Sequence, residues 1–110
     1  MPKPLDVHRD TFDDEVINQD APVLVDFWSP TCPHCLRLNP EYEQACEELA
    51  DEVKLVKLSL PVGRELFQKH GVMGTPTLVL FSKGQEIARA VGAKESGEIC
   101  SWVREQLQAA

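Results

Sequence analysis

Two cysteines separated by two residues, Cys32 and Cys35, are the strongest chemical signal in the sequence. They lie in the segment FWSPTCPHC, between an apolar run typical of a buried strand and a stretch with helical spacing. At a helix start, two thiols at this spacing can meet in a disulfide, and the first lies near unpaired backbone N–H groups and the positive end of the helix dipole. The thiolate is the reacting form of cysteine, so this position favours Cys32 as a nucleophile.

A zinc site and a structural disulfide are the alternative uses of such a pair. A C-x-x-C motif supplies two thiolates at a spacing that suits a metal. However, Cys46 and Cys100 are isolated from each other, and His8 and His70 form no recognisable spaced motif. A disulfide that closes so short a loop removes little entropy from the unfolded chain. We therefore expect no metal and no organic cofactor, and we interpret Cys46 and Cys100 as buried packing residues.

The elements that must position the pair alternate between helices and strands. The sequence predicts helices over 10–18, 33–50 and 63–70, a closing helix with Ile99, Val103 and Leu107 on one face, and strands over 23–28, 53–60, 77–81 and 86–91. Asp10 or Thr11 should cap the first helix, Pro40 should kink the second, and Gly71 should end the third. The expected fold class is α/β, with a mixed central β-sheet flanked by helices on both faces.

Length and charge describe one soluble domain over residues 1–110. Eighteen acidic residues against eleven basic ones give a net charge of −7, which argues against nucleic acid and anionic membranes as partners. The longest apolar run is far shorter than the roughly 20 residues of a membrane-spanning helix. The first thirty residues lack the basic start and apolar segment of a secretion signal, so the expected location is cytoplasmic.

Along nearly its whole length the chain resembles the thioredoxin family. The matching residues are VDFW before the pair, Cys32 and Cys35, Pro40, Lys57, the segment GTPT at 74–77, Gly84 and Gly92. The resemblance implies a thioredoxin fold, thiol–disulfide exchange through the two cysteines, and a cis Pro76 beside them.

The resemblance also implies roles for residues around the pair. Asp26 matches an aspartate that lies behind the second cysteine and assists its proton transfers, although an acid satisfied by Lys57 or by local hydrogen bonds is the alternative. We count Lys57 as catalytic, and also His34, which would stabilise the thiolate of Cys32 unless it is a bystander on an exposed turn. Trp28 would form a wall of the site.

A surface for client proteins is also implied by the resemblance. Besides Trp28, its residues are Thr31, Pro33, Gly74, Thr75, Pro76, Gly92 and Ala93. They are mostly small or apolar, which suits an extended peptide. The backbone of Thr75 would hydrogen-bond such a peptide and give affinity with little sequence preference.

The dipeptide between the cysteines departs from the family. This chain reads Thr31-Cys32-Pro33-His34-Cys35, where thioredoxins typically have Trp-Cys-Gly-Pro-Cys. The Pro-His pair is similar to that of the periplasmic disulfide oxidases, whose large helical insertion does not fit within 110 residues. A Cys-Pro-His-Cys site in so short a chain resembles the atypical thioredoxins of anaerobic sulfate-reducing bacteria, the desulfothioredoxins.

These expectations combine into a monomeric protein-disulfide reductase. Cys32 would attack a client disulfide, Cys35 would resolve the mixed disulfide, and a thioredoxin reductase would restore the dithiol. Two alternatives remain open. One is a net disulfide oxidase or isomerase, because the direction of exchange depends on the redox poise of the compartment. The other is a binding module in which the cysteines are secondary.

Overall fold

The computed structural model describes residues 2–110, in which strands and helices alternate. The elements are β1 (Leu5–Val7), a π-helical turn (Asp13–Ile17), β2 (Val23–Trp28), α1 (Pro33–Leu49), β3 (Lys54–Ser59), α2 (Leu60–Lys69), β4 (Thr77–Ser82), β5 (Gln85–Val91) and α3 (Ser96–Ala109). Among these residues, no helix has both the length and the apolar character that crossing a membrane requires.

The five strands form one mixed sheet in the order β1-β3-β2-β4-β5. β3 runs parallel to β1 and β2, while β4 runs antiparallel to β2 and β5. β2 therefore lies at the centre, and five of its six residues are buried. A strand covered on both faces reads as a nearly continuous apolar run, which is why VLVDFW was recognisable in the sequence.

Helices cover both faces of this sheet. On one face, α1 and α3 pack on β2 and β4 through Leu24, Leu38, Tyr42, Leu78 and Ile99, among other residues. On the other face, the π-helical turn and α2 pack through Phe12, Val16, Phe27, Phe67 and Phe81. The expected α/β class, with a mixed sheet flanked on both faces, is confirmed.

The structure differs from the prediction at two places before residue 20. β1 was not predicted, because three residues with only Val7 buried give no visible alternation. The expected helix over 10–18 is a single π-helical turn over Asp13–Ile17 without a side-chain cap. The hydroxyl of Thr11 instead accepts a hydrogen bond from the N–H of His8 at 3.1 Å, so it closes the turn before the helix.

The helices that flank the site differ less from the prediction. α1 continues through Pro40 to Leu49, close to the predicted end at residue 50; the kink expected at Pro40 stays a prediction. α2 begins at Leu60, earlier than predicted, and Gly63 has non-helical backbone angles (φ −138°, ψ 24°) inside it. Gly71 ends α2 as expected. Its φ of +65° lies in the left-handed region that glycine adopts without strain.

Candidate active site

The two cysteines of the C-x-x-C motif lie at the junction between β2 and α1. Cys32 is the residue that caps the N-terminus of α1, with extended backbone angles, and Pro33 opens the helix. Proline suits this position because its fixed φ is helical and the missing N–H would have no intrahelical partner. The side chain of Cys35 points into the protein and is fully buried, whereas Cys32 is half-buried.

Hydrogen bonds hold the sulfur of Cys32 between two segments of the chain. Its Sγ accepts a hydrogen bond from the backbone N–H of Cys35 at 3.3 Å. It also donates one to the carbonyl oxygen of Thr75 at 3.5 Å, on the loop before β4. Both cysteines are free thiols in this structure. The helix start and the loop before Pro76 thus meet at one sulfur atom.

The environment separates the acidities of the two thiols. Burial by itself raises the pKa of Cys32, but hydrogen bonds with the Cys35 and Thr75 side chains and with the backbone N–H groups of Cys35 and His34 outweigh it, so the pKa falls below its ordinary value. Burial is also the main cause at Cys35, followed by its hydrogen bond to the Cys32 thiol, and raises the pKa of Cys35 to about 11. Cys32 is therefore the thiol that ionises first.

Asp26 lies behind the pair, inside β2. Its side chain is fully buried, and neither carboxylate oxygen has a hydrogen-bond partner among residues 2–110. Burial raises the pKa of Asp26 to about 7, and the positive charge of Lys57 counteracts part of this increase. The carboxyl group therefore titrates near neutral pH.

Lys57 does not satisfy Asp26, although the two residues are register partners in the parallel strands β2 and β3. The ammonium group of Lys57 donates a hydrogen bond to Oδ1 of Asn39 at 2.9 Å. It also lies 4.4 Å from the centre of the Trp28 ring, in a cation–π contact. The structure therefore does not support the alternative that Lys57 or local hydrogen bonds satisfy the hydrogen-bonding capacity of the Asp26 carboxyl group. Asn39 was not predicted as a site residue; the available signal was its place one helical turn after Cys35.

His34 is exposed, and its ring lies against a neighbour on α1. Nδ1 of the ring is hydrogen-bonded to the guanidinium group of Arg37. The contact that His34 makes with the sulfur of Cys32 is through its backbone N–H. Position 34 thus lowers the pKa of Cys32 through its backbone N–H, while the catalytic role expected of the His34 side chain stays a prediction.

The residues predicted for client binding lie at the junction of β2 and α1, on the loop before β4 and on the loop after β5. Trp28, Thr75 and Gly92 are half-buried, Pro76 is buried, and Thr31, Pro33, Gly74 and Ala93 are exposed. The N–H of Gly92 donates to the carbonyl oxygen of Pro76 at 2.9 Å, which joins the loop after β5 to the loop before β4. The Thr75–Pro76 peptide bond is cis. Hydrogen bonds thus connect the loop after β5 to the loop before β4, and that loop to the half-buried sulfur of Cys32.

One apolar residue on this surface was not predicted. Met73 precedes Gly74 and is 98% exposed. It borders a groove of about 280 Å³, which is also lined by Leu60, Phe67, Val72 and Thr75. A methionine in a short loop gives no sequence signal that separates a binding residue from a core residue.

The other two cysteines lie away from this surface, in the core cluster between α1, α3 and the sheet. Both are buried, as predicted. Burial raises the pKa of Cys46, and it raises the pKa of Cys100 to about 12. Both thiols are therefore protonated at neutral pH. Within residues 2–110, His, Cys, Asp and Glu side chains form no group of three that could hold a metal ion.

The sequence of this chain is similar to that of known proteins. The thioredoxin family profile matches residues 3–105. A thioredoxin of Rickettsia bellii is 32% identical over 97 residues, which cover 88% of this chain and 92% of that protein. A thioredoxin of Haemophilus influenzae is 31% identical over 107 residues, covering 97% and 100%. Thioredoxin 1 of Synechococcus elongatus is 36% identical over 83 residues, covering 76% and 78%.

Proposed function

The chain belongs to the thioredoxin family, and on that premise we propose that it is a protein-disulfide reductase. Family membership gives the thioredoxin fold and thiol–disulfide oxidoreductase chemistry. The reductive direction and the roles of individual residues are our proposal. It rests chiefly on one observation: Cys32 is accessible with a lowered pKa, while Cys35 is buried with a pKa raised to about 11.

The proposed reaction has two exchange steps. The thiolate of Cys32 attacks one sulfur of a client disulfide; the client S–S bond breaks, a mixed disulfide forms, and one client thiolate leaves. Cys35 then attacks the sulfur of Cys32, which closes the Cys32–Cys35 disulfide and releases the second client thiolate. The client gains two electrons and takes up two protons, and the protein loses the same number of each.

The second step needs a base, because the thiol of Cys35 is protonated at neutral pH. We assign this role to Asp26, which is buried on the same side of the sheet as α1 and has two unpartnered oxygens. Its pKa of about 7 suits a group that must both accept and release a proton near neutral pH. Lys57 would modulate this acidity through its charge.

The client is proposed to bind as an extended segment across the loops that carry Thr75 and Gly92. The exposure of Pro33, Gly74 and Met73 beside Cys32 supports this proposal, because a chain can approach the sulfur there without displacing core residues. Main-chain hydrogen bonding at Thr75 would give affinity with little selectivity for side chains.

The oxidised protein must be reduced again, and a thioredoxin reductase is the proposed donor. Thr31 stands where typical thioredoxins have tryptophan, so docking to that donor would involve less apolar contact. Together with Pro33 and His34, this residue places the chain, in our proposal, with the desulfothioredoxins. Electron transfer would use the two cysteines alone, without a metal or an organic cofactor.

Trapping the mixed disulfide tests the proposal directly. Cys35→Ser should accumulate a covalent complex with a disulfide-containing test protein such as insulin, and dithiothreitol should release it. Cys32→Ser should form no complex, and Cys46→Ser, the matched control for a buried thiol, should turn over like the wild type. A complex formed through Cys35, or none in Cys35→Ser, would contradict the assigned roles.

The direction of exchange requires a second measurement. A reductase should reduce insulin when NADPH and thioredoxin reductase are supplied, and should do so faster than its disulfide form oxidises a reduced test peptide. The opposite order would favour the oxidase or isomerase. If Cys32→Ser combined with Cys35→Ser retained the biological role, the chain would be a binding module.

A further inference from the structure

A hydrogen bond between α1 and β3 determines where the ammonium group of Lys57 lies. Nζ donates to Oδ1 of Asn39 at 2.9 Å, and the same group lies 4.4 Å from the centre of the Trp28 ring. Asn39 is on α1, one helical turn after Cys35, and is half-buried. Two neutral side chains therefore hold this cation at the edge of the active site.

The Lys57 ammonium group forms no hydrogen bond with the nearby carboxyl group of Asp26. Asp26 and Lys57 are register partners on β2 and β3, and their side chains leave the sheet on the same side. Even so, both oxygens of Asp26 lack a hydrogen-bond partner within residues 2–110. A lysine in this register is long enough to approach a neighbouring carboxylate, so its orientation requires a cause.

We infer that Asn39 is a positioning residue for the proton transfer proposed above: it holds the Lys57 ammonium group out of contact with Asp26 and so prevents a direct ion pair between the two groups. The inference rests on the proposed function in one respect, that Asp26 exchanges a proton with Cys35. The contact between Asn39 and Lys57 is independent of it.

The electrostatic consequence follows from the surroundings of Asp26. The buried titratable groups on α1 are Cys35, Tyr42 and Cys46, and the buried one on α3 is Cys100, whereas the acidic and basic residues of both helices are exposed or half-buried. The neighbouring residue on β4, Leu78, is apolar. The hydroxyl of Tyr42 donates its hydrogen bonds to the carbonyl oxygens of Leu24 and Val56 and not to the carboxyl group of Asp26. Among the described residues, Lys57 is thus the cation that acts on Asp26.

A closer lysine would change the acidity of the carboxyl group. An opposite charge within about 4–6 Å lowers the pKa of an aspartate by about 1–3 units. Direct pairing with Lys57 would therefore convert Asp26 into a weaker base. A weaker base is less able to accept a proton from Cys35, whose pKa is raised to about 11.

Titration of Asp26 in Asn39 variants tests the inference. Carbon-13 NMR of the Asp26 carboxyl in the reduced, full-length protein should give a midpoint at least about one pH unit lower in Asn39→Ala than in the wild type. Asn39→Leu, which keeps the volume and removes the acceptor, should give the same decrease if the alanine variant fails to fold. Asn39→Asp, which keeps an oxygen acceptor, should not lower the midpoint, and Gln44→Ala on the exposed side of α1 is the matched control.

A double-variant cycle separates the effect of Asn39 on Lys57 from other effects. Once Lys57→Met has removed the cation, adding Asn39→Ala should no longer lower the midpoint. An unchanged or raised midpoint in both Asn39→Ala and Asn39→Leu would overturn the inference, as would an equal decrease in the Lys57→Met background.

The rate of mixed-disulfide resolution distinguishes this inference from the proposed function. Its pH profile should move to lower pH by the same amount as the Asp26 midpoint. If the midpoint falls but the profile does not follow, Asn39 positions Lys57 as inferred, and the role of Asp26 in the proposed reaction is wrong.

Discussion

The backbone N–H of Cys35 donates a hydrogen bond to Sγ of Cys32 across 3.3 Å. The buried cysteine thereby stabilises the thiolate of the accessible one, because the first turn of α1 directs an otherwise unpaired N–H at that sulfur. The same burial that protects Cys35 raises its own pKa. One helix start thus makes two identical residue types chemically different.

Selective alkylation should follow from this difference. We expect iodoacetamide at pH 7 to modify Cys32 in the reduced protein at least about 100-fold faster than Cys35, because the thiolate is the reacting form and Cys35 is buried. Peptide mapping by mass spectrometry measures both rates. Cys46 and Cys100 should react only in denaturant, and modification of Cys35 before Cys32 would reverse the assignment.

The dipeptide between the cysteines should influence the redox potential through the backbone. Replacing Pro33-His34 by Gly-Pro removes the N–H at position 34, because proline has none, and so removes a donor to Sγ of Cys32. We expect the pKa of Cys32 to rise and the potential to become more negative, by about 30 mV for each unit by which the pKa rises. Equilibration with glutathione measures this change.

His34→Ala is the matched control for that replacement, because it removes the ring and keeps the backbone N–H. We expect a smaller change in potential than in the Gly-Pro variant. Equal potentials in the wild type and the Gly-Pro variant would make position 34 a bystander. An equal change in both variants would assign the effect to the ring.

Asp26 should make the protein less stable as the pH rises from about 4 to about 7. Folding raises the pKa of this group from an ordinary 3.8 to about 7, so the folded protein binds a proton that the unfolded chain has released in this range. Since each pH unit is worth about 1.36 kcal/mol, the loss of unfolding free energy above pH 7 is about 4 kcal/mol. Below about pH 4 both states are protonated and the loss disappears.

Asp26→Asn should abolish this pH dependence, because the amide does not titrate. Urea unfolding of the reduced wild type and variant at pH 4, 6 and 8 gives the comparison. The variant should gain stability relative to the wild type as the pH rises. A difference that is constant over this range would mean that the carboxyl group is not perturbed by burial.

The hydroxyl group of Tyr42 should contribute to stability in addition to the packing of its ring. The hydroxyl donates to the carbonyl oxygens of Leu24 and Val56 at 3.0 Å and 2.8 Å and thereby joins α1 to β2 and β3. We expect Tyr42→Phe to lower the unfolding free energy by about 1–2 kcal/mol, since it leaves buried carbonyl groups with one partner fewer. Insulin reduction should be unchanged; equal stability of the two proteins would contradict the prediction.

The sequence by itself determined the order of the main elements and the place of the chemistry. β2 was recognisable because a strand buried on both faces must be apolar, and Cys32 and Cys35 because their spacing at a helix start has few other uses. Even the ends of elements followed from local rules where one residue type is strongly preferred. Gly71 is such a case, since its positive φ penalises other residues.

Elements that depend on distant partners were not determined in this way. β1 has three residues, and it is a strand because β3 offers it a parallel edge, not because of its own pattern. The segment after it has helical spacing, but only a single π-helical turn forms there. Phe12, directly before that turn, and Val16 within it both pack into the core. Tertiary contacts override local propensity in such short segments.

The interactions that tune the site were decided by the tertiary structure alone. The family resemblance points to Asp26 and Lys57, but the sequence does not show that they are neighbours across two strands. Nor does it show that Asn39 and Trp28 contact the ammonium group. Burial and counter-charge act through space over a few ångströms, whereas the sequence records only separation along the chain. For that reason the identity of the reactive pair could be predicted, while the acidity of the groups around it required the folded protein.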